Sequence, residues 1–157
     1  RNWTDRTHLT VPDTEFVKQQ RFRNLTTIRA DSSGFGHYGL LEIHRLPNLE
    51  FLSATGSLVG DESIQGLKGS KSLKRLYLGN NMITDKGLPV FKRLGQLEEL
   101  RLSGNPAITD IGLKELTGLK QLKELWLDGT RCTAAGVKEL KDRFLKSTKI
   151  HFGGQEL

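Results

Sequence analysis

The chain has 157 residues, 36% hydrophobic and 27% charged, the proportions of one ordinary soluble domain. No stretch approaches the roughly 18 apolar residues that a membrane helix needs, and the single cysteine excludes an internal disulfide framework. The formal charge of +6, from 24 Lys and Arg against 18 Asp and Glu, favours acidic partners only mildly and falls short of a nucleic-acid signature.

In chain order, residues 1–10 carry no clear pattern, and Arg1 in place of Met is expected of a cleaved or partial chain, so localisation stays open. The segment "VPDTEFVKQQRF" (11–22) reads as a half repeat, with Phe16 and Phe22 at the positions that Leu113 and Leu119 hold later. Then Leu25, Leu49, Leu73, Leu97 and Leu122 open five segments of one design, spaced 24, 24, 24 and 25 residues apart. Self-similarity at that period predicts a stacked solenoid, in which functional residues form a surface column with one member per repeat.

Each repeat begins with leucine-x-x-leucine-x-leucine, as in Leu73, Leu76, Leu78 and Leu97, Leu100, Leu102. The last two of each trio alternate and share one face of a strand. A polar turn follows, Gly79-Asn80-Asn81 or Ser103-Gly104-Asn105, whose residues tolerate left-handed backbone. One apolar residue then turns inward: Phe35, Val59, Ile83, Ile108, Cys132. A helix is predicted next, with Thr84, Thr109 and Thr133 as N-caps and Asp85 and Asp110 in the first turn, favourable to the helix dipole. Its apolar residues recur at steps of three: Leu88, Phe91, Leu94 and Leu113, Leu116, Leu119. A longer last helix is predicted over 134–146 and a last strand over 148–152. The whole is read as one domain: residues 1–24 a cap and half repeat, 25–147 five repeats, 148–157 the last strand and tail.

These residues resemble the leucine-rich repeat family. The phrases "ITDKGL" and "ITDIGL" are most similar to its ribonuclease-inhibitor-like and cysteine-containing branch and to bacterial repeat proteins. The resemblance implies an α/β fold: a right-handed solenoid with a parallel sheet on the concave face, helices on the convex face, and about five full repeats plus end caps. It also implies a protein-binding role without catalysis. Where the cysteine-containing branch often has cysteine in the turn, this chain has Asn81, Asn105 or Thr130.

Residues flanking the inward leucines should point out of the sheet. Arg29, Tyr77, Arg101, Trp126 and His151 fall between the inward pairs, Phe51, Arg75, Glu99 and Glu124 just before them, and Asp128 just after. Six strands about 4.8 Å apart make a ribbon on the order of 25 Å wide, and aromatic residues and arginine are the types enriched at binding hot spots. These ten residues are the candidate partner-binding face. The bland alternative is that the rings only shield the sheet, with Arg101 over Tyr77 or Trp126 as a cation–π pair.

Other chemistry finds little support. The four histidines hold unrelated repeat positions, so no metal site or cofactor is expected. Cys132 substitutes for an inward isoleucine and reads as a buried, inert thiol. The mixed signs along the ribbon argue against a phosphate-binding track. The expected partner is therefore a protein, met without a membrane span and by a monomer. Two rival readings stand beside it: a structural accessory subunit or assembly factor, mitochondrial ones included, and end-to-end dimers formed through the Thr148–Phe152 edge unless the tail "GGQEL" covers it.

Overall fold

The structure, a computed structural model, describes residues 24–157. The half repeat read at 11–22 and the first ten residues lie outside the described residues. Seven strands form one sheet in chain order: β1 (Thr27–Arg29), β2 (Phe51–Ser53), β3 (Arg75–Tyr77), β4 (Glu99–Arg101), β5 (Glu124–Trp126), β6 (Lys149–Phe152) and β7 (Gln155–Glu156). The first six run parallel, and β7 returns antiparallel to β6. Ile28, Leu52, Leu76, Leu100, Leu125 and Ile150 pair as direct neighbours across this sheet and all are buried. The 25-residue step between β4 and β5 is absorbed at Pro106 and Ala107, so register is unbroken.

The return segments behind the sheet are less helical than the sequence suggests. True α-helix appears in α1 (Phe35–Leu41), in the four-residue α2 (Asp110–Leu113) and in α3 (Ala134–Arg143). The second and third repeats instead use 3₁₀ helix at Ser63–Gly69 and Leu88–Arg93. A step of three is the period of a 3₁₀ helix, so Leu88, Phe91 and Leu94 fall on one side and all are buried. The slimmer helix also suits a stack whose front repeats every ~4.8 Å, well under the ~10 Å width of an α-helix.

Two hydrogen-bond columns join the repeats. The first is built on the turn asparagines. Asn81 is buried; its Oδ1 accepts from the Ser57 and Val59 amides at 3.0 Å, and its Nδ2 donates to the Ala54 and Gly79 carbonyls at 2.9 and 3.1 Å. Asn105 does the same one repeat on, accepting from Ile83 N and donating to the Leu78 and Leu102 carbonyls. A buried amide with both ends satisfied fixes the turn; one left unbonded would destabilise it.

The second column corrects the reading of the aspartates as dipole-stabilising acids. Asp61 accepts from the backbone amide and hydroxyl of Thr84, Asp85 from those of Thr109, and Asp110 from those of Thr133, at 2.8 Å and 2.6 Å in every case. Asp110 does lie in the first turn of α2, but its oxygens reach forward to the next repeat. Thr109 and Thr133 cap their own helices, accepting from Ile111 N and Gly136 N as expected. Thr84 does not: it accepts from Lys86 N within a turn, and the 3₁₀ helix of its repeat starts only at Leu88 with Gly87 at the N-cap. The glycine of each "TDxG" phrase completes the arrangement. A β-carbon at Gly87 would lie 2.5 Å from the Asp61 carboxylate, and at Gly112 and Gly136 it would overlap Asp85 and Asp110 likewise. The third and fourth repeats therefore each offer an aspartate forward and keep a threonine and a glycine to receive one. The second repeat has Gly60 and Ser63 at the receiving positions, and the fifth has Ala134 at the offering position. The column starts and stops where those residues change.

The edge expected at Thr148–Phe152 is closed. Gly153 and Gly154 have φ of 61° and 76°, the pair of positive values that a two-residue type I′ hairpin requires. That turn lays β7 against β6, and Ile150 and Leu157 exchange backbone hydrogen bonds at 2.8 and 3.1 Å. The sheet therefore ends at the two-residue β7, and β6 offers no open edge for pairing.

A double-mutant cycle tests the aspartate column. Gly136→Ala should cost about 1–2 kcal/mol in the native background, because its methyl group collides with a hydrogen-bonded carboxylate. In an Asp110→Ala background the same substitution should be neutral or stabilising, since the space is vacated and alanine favours helix. Urea unfolding of the four proteins measures both effects; additive losses would refute the coupling.

Candidate binding face on the parallel sheet

With the leucines inward, alternate residues of each three-residue strand must face outward. Register then sets Thr27, Phe51, Arg75, Glu99, Glu124 and Lys149 in one row and Arg29, Ser53, Tyr77, Arg101, Trp126 and His151 in the next. Nine of the ten candidate residues belong to these rows. Asp128 stands just beyond them in the turn, where its carboxylate accepts from Gly154 N at 2.9 Å and braces the terminal hairpin.

The second row forms a continuous stack. The Arg101 guanidinium carbon lies 4.1 Å from the Tyr77 ring centroid and 4.2 Å from that of Trp126. On the other side of the indole, His151 stacks at 4.4 Å with the ring planes 6° apart. Because β4 and β6 flank β5, both faces of Trp126 are covered. Arg101 Nε is buried without a hydrogen-bond partner, as is His151 Nε2, which lies 3.7 Å from Glu124 Oε2. That separation is beyond a hydrogen bond.

Tyr77 joins the two rows. Its hydroxyl donates to Glu99 at 2.6 Å, and its ring meets Phe51 edge-on at 5.0 Å and 80°. Burial pushes the phenol pKa above its usual value, and the bond to Glu99 adds to the rise, while Arg101 opposes it. The phenol therefore stays protonated and keeps donating at neutral pH.

Phe51 departs from expectation. It points outward but is only 3% exposed. The Arg29 and Arg75 guanidinium carbons lie 4.8 and 4.9 Å from its ring centroid, and Tyr77 closes the remaining side. A partner would meet the arginines that cover Phe51 and not the ring itself. Phe51 therefore acts as a platform for them and is no open anchor. Alternation along the strand gives the direction of the side chain but not what its neighbours lay over it.

Two features were absent from the sequence reading. Ser53, in the outward row, is buried and donates to Asp31 Oδ1, which also accepts from Thr55 N at 2.8 Å. Leu58 and Met82, at equivalent positions on the flanking turns, are 71% and 59% exposed, and Leu58 has a φ of 57°. An exposed leucine in left-handed backbone is strained. Its only sequence cue was an apolar residue in an otherwise polar turn. Cys132 is buried, with Sγ 4.0 Å from the Ile108 carbonyl, and burial pushes its thiol pKa up. Among the described residues no group of three or more His, Cys, Asp or Glu side chains could hold a metal ion, and no helix is long and apolar enough to cross a membrane.

Comparison with known proteins agrees with this geometry. Residues 71–131 match the family model described as leucine rich repeat. The chain also superimposes on an internalin from Listeria monocytogenes with a TM-score of 0.66 at 23% identity, covering 82% of this chain and 35% of that one. The fold is a leucine-rich-repeat solenoid. A structure described as leiomodin-1 actin-binding site 2 gives a TM-score of 0.65 at 20% identity, with 86% of each chain covered. The tropomodulin C-terminal domain of Caenorhabditis elegans gives 0.56 at 14% identity, over 87% of this chain and 95% of that one. The chain spans about a third of the internalin's length and half that of a second internalin, also from Listeria monocytogenes. At these identities the likeness is one of fold. No curated protein matches the chain by sequence.

Optical titration tests the packing in this leucine-rich-repeat face. The tyrosinate signal lost in Tyr77→Phe should correspond to a phenol ionising above the ordinary value of about 10. A normal titration would mean that Tyr77 is not held against Glu99. Cys132 should react with a thiol reagent only as the protein unfolds, and prompt labelling of the native protein would contradict its burial.

Proposed function

We propose that this solenoid is a non-catalytic protein-interaction module that docks a protein partner on the outward face of its parallel sheet. The observation that carries the reading is the Tyr77–Arg101–Trp126–His151 stack, which holds large rings and a guanidinium in fixed positions on an open surface. Rigid side chains lose little freedom on binding, so contact area there converts to affinity efficiently. Arg29, Arg75, Glu99 and Glu124 supply the polar surround, Phe51 supports it from beneath, and Asp128 fixes its end. The leucine-rich-repeat fold is typically an interaction module, which agrees with this role. The "ITDKGL" and "ITDIGL" phrases keep the resemblance to the ribonuclease-inhibitor-like branch.

Catalysis has no comparable support. Glu99 and Glu124 are direct neighbours across β4 and β5, but one is bonded to a phenol and the other faces an imidazole on an open sheet. Neither lies in the closed pocket that catalytic carboxylates need.

A second reading, an accessory subunit or assembly factor docked through its helical side, has one observation in its favour. A groove of about 540 Å³ runs between α2 and α3, lined by Leu113, Leu140 and the partly exposed Phe144.

Affinity capture with the native protein and with Tyr77→Ala/Trp126→Ala decides between the two. The double variant should lose the partner at least tenfold, about 1.4 kcal/mol or more. Each truncation should also cost about 1 kcal/mol of stability, because Arg101 loses a ring from its sandwich. Capture is therefore done well below the variant's melting temperature. Full retention of the partner by a folded double variant would refute the sheet face and favour the helical groove.

A further inference from the structure

The charges on the sheet face are not equally engaged. The acids are already bonded within the chain: Asp31 to Ser53 and Thr55, Glu99 to Tyr77, Asp128 to Gly154, while Glu124 faces His151. The arginines are not. Arg29, Arg75 and Arg101 join no ion pair and no side-chain hydrogen bond among the described residues, and each is held only by ring contacts. Stacking fixes the plane of a guanidinium and leaves its N–H groups unsatisfied; Arg101 Nε is itself buried, so that arginine offers its Nη groups. From a free N–H edge arginine binds a carboxylate through two parallel hydrogen bonds.

Placement follows from the register. Arg75 and Arg101 stand on adjacent strands, one row apart, and Arg29 stands two strands from Arg75. Their bases are spaced about 8–12 Å apart on strand geometry. We propose that the partner presents an acidic protein segment to this face, with carboxylates seated on the guanidinium edges of Arg101, Arg75 and Arg29. This inference rests on the sheet face being the binding face and adds the chemistry of what binds there.

Nucleic acid is the competing source of anions, and the rings argue against it. Single strands bind by stacking bases on exposed aromatic faces. Here Trp126 is covered on both faces, Tyr77 lies under Arg101 and Phe51 is buried, so these three rings make a poor platform for bases. Glu99 and Glu124 also interrupt any phosphate track across β4 and β5.

The test follows the arginine Nε–H signals by NMR during titration with three probes at low salt: acetyl-(Glu-Ser)₅-amide, its (Gln-Ser)₅ counterpart, and a ten-residue oligothymidylate. The Glu peptide should shift the Arg75 and Arg101 signals saturably and bind roughly tenfold tighter than the Gln peptide, the scale expected of charge-assisted bidentate contacts. Arg29→Gln/Arg75→Gln removes two exposed side chains, should leave the fold intact, and should abolish most of that preference. Arg101→Gln should do the same, but it loosens the stack, so the first variant decides. Equal binding of the two peptides, or tighter binding of the oligothymidylate, overturns the inference. So does a captured partner that is lost from Tyr77→Ala/Trp126→Ala yet binds Arg29→Gln/Arg75→Gln normally. That last result would leave the binding face itself standing.

Discussion

The structure depends on a constraint of pitch: the narrow step between strands in front limits how much room each repeat can take behind. In front, backbone hydrogen bonds between parallel strands set the step, and the inward column from Ile28 to Ile150 seals it against water. Behind, an α-helix is wider than that step, and slimmer 3₁₀ segments fill much of the space. Between front and back, the buried amides of Asn81 and Asn105 and the carboxylates of Asp61, Asp85 and Asp110 bridge each repeat to its neighbour. These polar groups add directional bonds to burial, which has no direction of its own.

The candidate binding face is a by-product of the strand register. Because register is exact to the residue along the sheet, side chains at one repeat position become stacked neighbours without any further device. Arg101 between Tyr77 and Trp126 is three consecutive choices at one position, converted by strand pairing into a cation between two rings. The energy of each contact is modest, about 0.5–1 kcal/mol where exposed. Its larger effect is order: long side chains that would sample many rotamers in water are held in one plane.

Much of this was legible in the sequence because it is periodic. The leucine trio located the first five strands, the Gly and Asn turns fell where left-handed backbone occurs, and the outward rows followed from alternation. What was misread involves contacts between residues a repeat apart. Asp85 beside Thr84 suggests a local helix cap, yet its partner is Thr109, and only the recurring Gly87, Gly112 and Gly136 hinted that something from the previous repeat needs room. The three-residue apolar step was itself the mark of 3₁₀ structure and was taken for ordinary helix. Phe51 was read correctly for direction and wrongly for exposure, since its cover comes from β1 and β3. The hairpin at Gly153 and Gly154 was signalled by the dipeptide, but the edge it closes is visible only once the strand order is known.

The aspartate column gives the stack a direction, like a plug on one side of each unit and a socket on the other. A copy of residues 73–96 placed after itself would bring Thr84 and Gly87 to receive Asp85 and a fresh Asp85 to meet Thr109, leaving both junctions complete. A copy of the unit containing Ala134 would leave the next threonine with nothing to hold. Interior units can therefore be duplicated or lost without redesign, and the array can lengthen or shorten only from within.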